Sequence, residues 1–235
     1  MVTSLGEIPA ARVAIVTGGS RGVGRETINR LSTRGFAVVV NYAHDQRAVE
    51  SAVEAVLARN GAAVAIRADI GDDLDVERLF AETIETFGGV DAVVHAVRGQ
   101  VGATTVAGVD LEELDALWGM TARATVIINR EAARQLRNGG AIVNMSGSVT
   151  APALSAYDVY AAMTAAVDTL TGVLARELLE RDITVNAVAL DIDKPCAPGT
   201  VADVIAYLLS DEGHAITGQV IHVDNRGTSP KLPRS

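Results

Sequence analysis

The stretch DVYAAMTAAVD, residues 158–168, sets Tyr160 among small residues in a helical pattern. A phenol held on a rigid helix can give a proton to a developing alkoxide, or it can simply fill space between packed helices. One helical turn later stands Thr164, a neutral hydroxyl. A second stretch, TGGSRGVG from Thr17 to Gly24, places glycines at 18, 22 and 24. It leaves a β-branched run and opens a helical one. Such glycines permit a tight turn, close backbone approach and close helix packing, and the unpaired N–H groups of the helix end suit a pyrophosphate.

The elements that must carry these residues follow from the pattern. Largely apolar runs at 12–18, 37–42, 62–70, 90–97, 141–146, 183–190 and 219–224 read as strands covered on both faces. Amphipathic helices lie between them. QRAVESAVEAVLARNG puts Val49, Ala52, Val53 and Val56 on one side and ends in Gly61, and LDVERLFAETIETFGG ends in Gly88 and Gly89. EELDALWGMTARATVIINREAARQL and AYDVYAAMTAAVDTLTGVLAREL read as two further helices, apolar over more than one face, which calls for burial on both sides. Alternation of strand and helix predicts one α/β domain, a Rossmann-type doubly wound parallel sheet of about seven strands with helices on both faces. It spans 1–226, and 227–235 form a polar, proline-containing tail.

Composition narrows the function. The chain has 235 residues, enough for one substantial core, and 49% are hydrophobic. A net charge of −9 speaks against nucleic acid, whose phosphates need a basic face. Cys196 is the single cysteine, so no internal disulfide forms and a reducing compartment fits. No apolar run approaches a membrane span, and the first residues lack a signal-peptide pattern, so the expected location is the cytoplasm. No metal site is expected.

With its Gly-x-x-x-Gly-x-Gly spacing, the glycine loop resembles that of the short-chain dehydrogenase/reductase family. The resemblance runs along nearly the whole chain, through ADI, VYAAMTAAVDTLTGVLAREL, RDITVNAVA and AYLLSDEGHAITGQVIHVD. It is similar in particular to 3-oxoacyl-ACP reductase-like members. The resemblance implies a nicotinamide cofactor held by Gly18, Ser20, Arg21, Gly22, Val23 and Gly24 of the loop. Asn41, Tyr42 and Ala43 after the second strand, Asp69 and Ile70 on the adenine side, and Ala96 and Val97 after the fourth strand would complete the cofactor side, with Thr164 at the nicotinamide ribose. Members that take the unphosphorylated cofactor place a carboxylate where Asn41 stands. Arg21 beside an uncharged Asn41 favours NADP(H) over NAD(H), because a guanidinium matches a phosphate dianion in bidentate fashion.

The chemical half departs from the family pattern. Tyr160 stands at the tyrosine position and Thr164 at the lysine position. Gly147 falls where the family has a serine, with Ser146 and Ser148 on either side, and Thr121 falls where it has an asparagine. The fourth strand ends in His95, Ala96, Val97 and Arg98 instead of Asn-Asn-Ala-Gly. Leu190-Asp191 replaces Pro-Gly, and only IDKPCAPGT, with Asp193, stands where a substrate-covering segment is usual. Tyr160 as proton donor, with Ser146 or Ser148 as helper, leads to an atypical NADP(H)-dependent reductase of a small-molecule carbonyl. An inactive NADP-binding homologue that senses cofactor or partners an active subunit, and a non-redox isomerase or cyclase, stay open. His95, Arg98, Asp191, Asp193 and Tyr157 are further polar groups near that side. The resemblance also implies a homodimer or homotetramer, or pairing with an active homologue.

Overall fold

The computed structural model describes residues 11–97, 105–148, 157–191 and 196–224. Arg98, Asp193 and the tail at 227–235 lie outside the described residues. Seven strands form one parallel sheet: β1 (Val13–Thr17), β2 (Ala37–Tyr42), β3 (Ala63–Arg67), β4 (Val90–His95), β5 (Leu136–Ser148), β6 (Thr184–Asp191) and β7 (Val220–Val223). Their spatial order is β3-β2-β1-β4-β5-β6-β7. The helices are α1 (Gly22–Thr33), α2 (Gln46–Leu57), α3 (Asp73–Phe87), α4 (Leu111–Trp118), α5 (Ala124–Gln135), α6 (Asp158–Glu177) and α7 (Pro198–Leu208).

Both faces of the sheet are covered, which is why its strands are apolar throughout rather than alternating. On one face Ile28 and Leu31 of α1, Val49 and Val56 of α2, and Val201 and Ile205 of α7 pack on Val16, Val38 and Val143. On the other, Leu79 and Phe80 of α3, Ile127 and Ile128 of α5, and Leu174 of α6 pack on Ile15, Val93 and Ile142. Successive residues such as Ile15 and Val16 therefore feed different cores and are both fully buried.

Three local features differ from the sequence reading. Helix α2 stops at Leu57, short of Gly61, and Asn60 takes the left-handed turn that the glycine was expected to make. The run 111–135 is not one regular helix: Gly119–Arg123 form a π-helical turn between α4 and α5. Strand β5 starts at Leu136, before the expected 141, and its pairing with β4 jumps from Leu136 to Ala141. Arg137 anchors that detour, donating to the Gly88 carbonyl at 2.7 Å and meeting Asp91 at 3.2 Å.

Candidate functional site

The sheet order makes β1 and β4 neighbours while their following connections run to opposite sides. A crevice opens at the C-terminal ends of such strands, where ligands of doubly wound folds bind. Gly18 leaves β1 at φ 66°, and a Cβ there would lie 2.9 Å from Val97 Cγ2. At Gly24 a Cβ would lie 2.3 Å from the Gly18 carbonyl oxygen. Only glycines let this turn fold so tightly on itself and against the end of β4.

The start of α1 differs from its neighbours. Asp45 caps α2, Asp72 caps α3 and Asp110 caps α4, each carboxylate accepting backbone N–H bonds. Helix α1 begins after Arg21 with no side-chain cap and no acidic residue in its first turn. Its first N–H groups and positive dipole end thus have no side-chain cap among the described residues, a good fit to a bound diphosphate.

A cleft of about 280 Å³ lies beside this helix end. The glycine turn lines it with Gly18, Ser20 and Arg21, the end of β2 with Asn41, Tyr42 and Ala43, and the β3 side with Asp69 and Ile70. Val97 closes it from β4. The structure thus brings together nine of the residues that the sequence singled out as cofactor-binding. Gly22, Val23, Gly24 and Ala96 do not line the cleft, and neither does Thr164. His44, Asp45, Ala68 and Met120 line it and were missed. Asp45 carried a signal, since an aspartate just before a helical run marks an N-cap. Met120 carried none, because it sits in the π-helical turn.

Asn41 is 2% exposed, and its Nδ2 donates to the Ala68 carbonyl at 3.0 Å. The amide ties β2 to the end of β3, so charge recognition at this end falls to its neighbours. Arg21 is exposed and makes no side-chain hydrogen bond or ion pair among the described residues. Asp45 shares the cleft with it while accepting from Ala48 N at 3.2 Å. Asp69 accepts from Gly71 N at 2.9 Å through Oδ1, and its own N–H donates to Asp75 Oδ2 at 2.8 Å. That bond and Arg78 together hold the Asp75 carboxyl below its ordinary range.

At the end of β4, His95 is fully buried. Thr17 Oγ1 accepts from Ala96 N at 3.2 Å and shares a hydrogen bond with His95 Nδ1 at 2.9 Å. Burial pushes the imidazole down to about 4, so it is neutral at physiological pH. Its role is to join β1 to β4. Asn144, paired with His95 across β5, donates to Thr171 Oγ1 of α6 at 3.3 Å.

Tyr160 lies in the first turn of α6 and is 2% exposed. Its ring lies over Gly147 at the end of β5, where a Cβ would come within 2.2 Å of Oη. Thr164 is buried, and its hydroxyl donates to the Ala161 carbonyl of its own helix at 3.1 Å. Ser146 is buried under α6, with Oγ 3.5 Å from the Thr164 carbonyl oxygen. It also supports Asp168, whose carboxyl is raised by burial against the opposing pull of Ser146 and His222. Ser146 thus braces strand to helix, away from the position taken by Gly147. Ser148 pairs with Asp191 of β6, and its side chain lies outside the described residues. Asp191 itself is 6% exposed. Tyr157 is the residue that precedes α6, and Thr121 is buried in the π-helical turn.

Residues 18–192 match the family model described as enoyl-(acyl carrier protein) reductase. The chain is 32% identical to versicolorin reductase 1 of Aspergillus parasiticus over 249 aligned positions, which cover 91% of this chain and 95% of the relative. Among solved structures, a short-chain dehydrogenase from Burkholderia cenocepacia in complex with NADP superimposes with a TM-score of 0.83 at 29% identity, covering 93% of this chain and 98% of that one. A promiscuous reductase that catalyses keto-reduction at C1 in lugdunomycin biosynthesis does so with a TM-score of 0.81 at 33% identity, over 90% and 94% of the two chains. The chain belongs to the short-chain dehydrogenase/reductase family. Among the described residues no cluster of three histidine, cysteine or acidic side chains could hold a metal, and no helix is long and apolar enough to cross a membrane.

Proposed function

We propose that the chain is an NADP(H)-dependent reductase of a small-molecule carbonyl, with an active site altered from the family pattern. The observation that carries the cofactor reading is the uncapped start of α1 beside Arg21, in a cleft lined by the glycine turn and the ends of β2 and β3. When bound, the reduced nicotinamide supplies hydride to the carbonyl carbon. The protein's part is to hold the diphosphate at α1, the adenosine between β2 and β3, and a proton at Tyr160 Oη for the carbonyl oxygen. Solvent then returns the proton to the phenol. A neutral phenol is the form that reduction needs, so the absence of a lysine at Thr164 harms reduction less than alcohol oxidation. The names of relatives, a tetrahydroxynaphthalene reductase and a promiscuous reductase that catalyses keto-reduction among them, support a ring-bearing carbonyl as the substrate.

The short connection from β6 to α7 supports an open substrate side. The alignment with versicolorin reductase 1 is 249 positions long against 235 residues here, so that relative carries residues with no counterpart in this chain. NADPH consumption should appear with a panel that includes 2-tetralone and 9,10-phenanthrenequinone. Binding of NADPH without turnover on any member would favour the sensor or partner reading.

Cofactor choice gives a separate expected result. Arg21 attracts a 2′-phosphate, while Asp45 opposes it from the same cleft. NADPH should bind about tenfold more tightly than NADH, roughly 1.4 kcal/mol. Arg21→Ala should erase that difference and Asp45→Ser should widen it, both read by calorimetric titration. Equal affinities in the unaltered protein would remove NADP(H) from the proposal.

The proposal includes a homo-oligomer and a cytoplasmic location. Trp118, Met120 and Val126, all 41–51% exposed, leave apolar surface along α4 and α5. Light scattering at micromolar concentration should give a dimer or tetramer, and a monomer would contradict this part.

A further inference from the structure

We propose that Gly147 is a positioning residue for Tyr160, and that the phenol occupies the space where the family keeps a serine side chain. This rests on reading Tyr160 as the proton donor. A Cβ on Gly147 would lie 2.2 Å from Tyr160 Oη and 2.6 Å from both Cε1 and Cζ. Contacts that short do not exist between real side chains, so the ring lies over β5 only because residue 147 has no side chain.

The neighbours fix the arrangement from below. Ser146 closes against the Thr164 carbonyl, and Thr164 turns its hydroxyl back into its own helix. Neither hydroxyl therefore competes for the space above Gly147. Strand β6 backs the glycine with Leu190, which is 4% exposed. The glycine and the tyrosine are one device: the phenol lies over the strand at the position where the family has a serine. The site has not simply lost a serine, because its tyrosine has moved into the serine's volume. Putting the serine back would displace the phenol rather than complete the site.

The test uses Gly147→Ala, Gly147→Ser, Tyr160→Phe and Tyr160→Ala in the full chain. Turnover is followed as NADPH oxidation with 9,10-phenanthrenequinone, and NADPH affinity by calorimetry. Misplacing a reacting group by about 1 Å costs on the order of 10²-fold in rate. Gly147→Ala and Gly147→Ser should each lower kcat by at least about tenfold, with NADPH affinity unchanged within about twofold, because the α1 end is untouched. Gly147→Ser with turnover equal to or above the unaltered protein would overturn the proposal.

Thermal unfolding keeps the test decisive if the glycine variants fold poorly. Gly147→Ala should lower Tm in the normal background and lose most of that effect in the Tyr160→Ala background, where the colliding ring is gone. The same loss in both backgrounds would also overturn it. If Tyr160→Phe keeps full turnover, the proton-donor reading fails by itself, and the thermal cycle still reports whether the two residues interlock.

Discussion

Tyr160→Phe is expected to lower kcat for carbonyl reduction by about 10²- to 10⁴-fold, the usual worth of a positioned general acid. NADPH affinity should stay within about twofold. The ring is retained, so its packing on Gly147 survives, and only the hydroxyl is lost. That hydroxyl matters when negative charge develops on the substrate oxygen, so kcat and kcat/KM should fall together. Steady-state rates on the best carbonyl of the panel, alongside calorimetry with NADPH, would show the pattern. Full turnover by the phenylalanine variant would end the role given to Tyr160. A large loss of cofactor affinity would recast the residue as structural.

The second large effect is on stability. His95 is buried and titrates at about 4, against an ordinary 6.5 in an unfolded chain. Below the unfolded value the unfolded chain binds a proton that the folded chain refuses. Stability is therefore whole above roughly 6.5. It falls as the pH drops towards about 4, where the folded protein also takes the proton. At pH 4.5 the loss from this one group comes to roughly 2.5 kcal/mol. His95→Asn keeps a hydrogen-bonding partner for Thr17 and removes the titration. Urea unfolding at pH 7.5 and pH 4.5 should give a fall for the unaltered protein that exceeds the fall for His95→Asn by about that amount. Carboxylates that titrate in the same range act on both proteins and cancel in the difference. Parallel falls would show that the imidazole is not held neutral by burial.

All seven strands were legible because strands buried on both faces leave long apolar runs, and because the glycine loop marks the first turn. What escaped the reading was backbone detail set by distant partners. The detour at Arg137 depends on Gly88 and Asp91, which lie about fifty residues earlier. The π-helical turn at Gly119–Arg123 breaks no sequence period that a pattern of apolar residues would show. In the candidate site, the residues lining the cleft were legible because they belong to one local motif and to strand ends. Asn41 lines the cleft, but its amide is spent on Ala68 after β3, a contact that only the register between β2 and β3 decides. The gap at Gly147 was visible in the sequence. That Tyr160 lies over Gly147 was not, since no local pattern marks a contact between a strand residue and a helix residue thirteen positions later.

The open start of α1 places binding and stability in opposition. Three other helices are closed by aspartates, each such cap contributing about 1 kcal/mol to a fold. Helix α1 forgoes that contribution, and Arg21 stands where the cap would be. A single exchange, Arg21→Asp, would close the helix with a carboxylate and should make the ligand-free chain sturdier. The same carboxylate would then occupy the dipole end that a dinucleotide needs and repel its phosphates. Robustness of the empty chain and affinity for an anion from outside thus pull residue 21 in opposite directions.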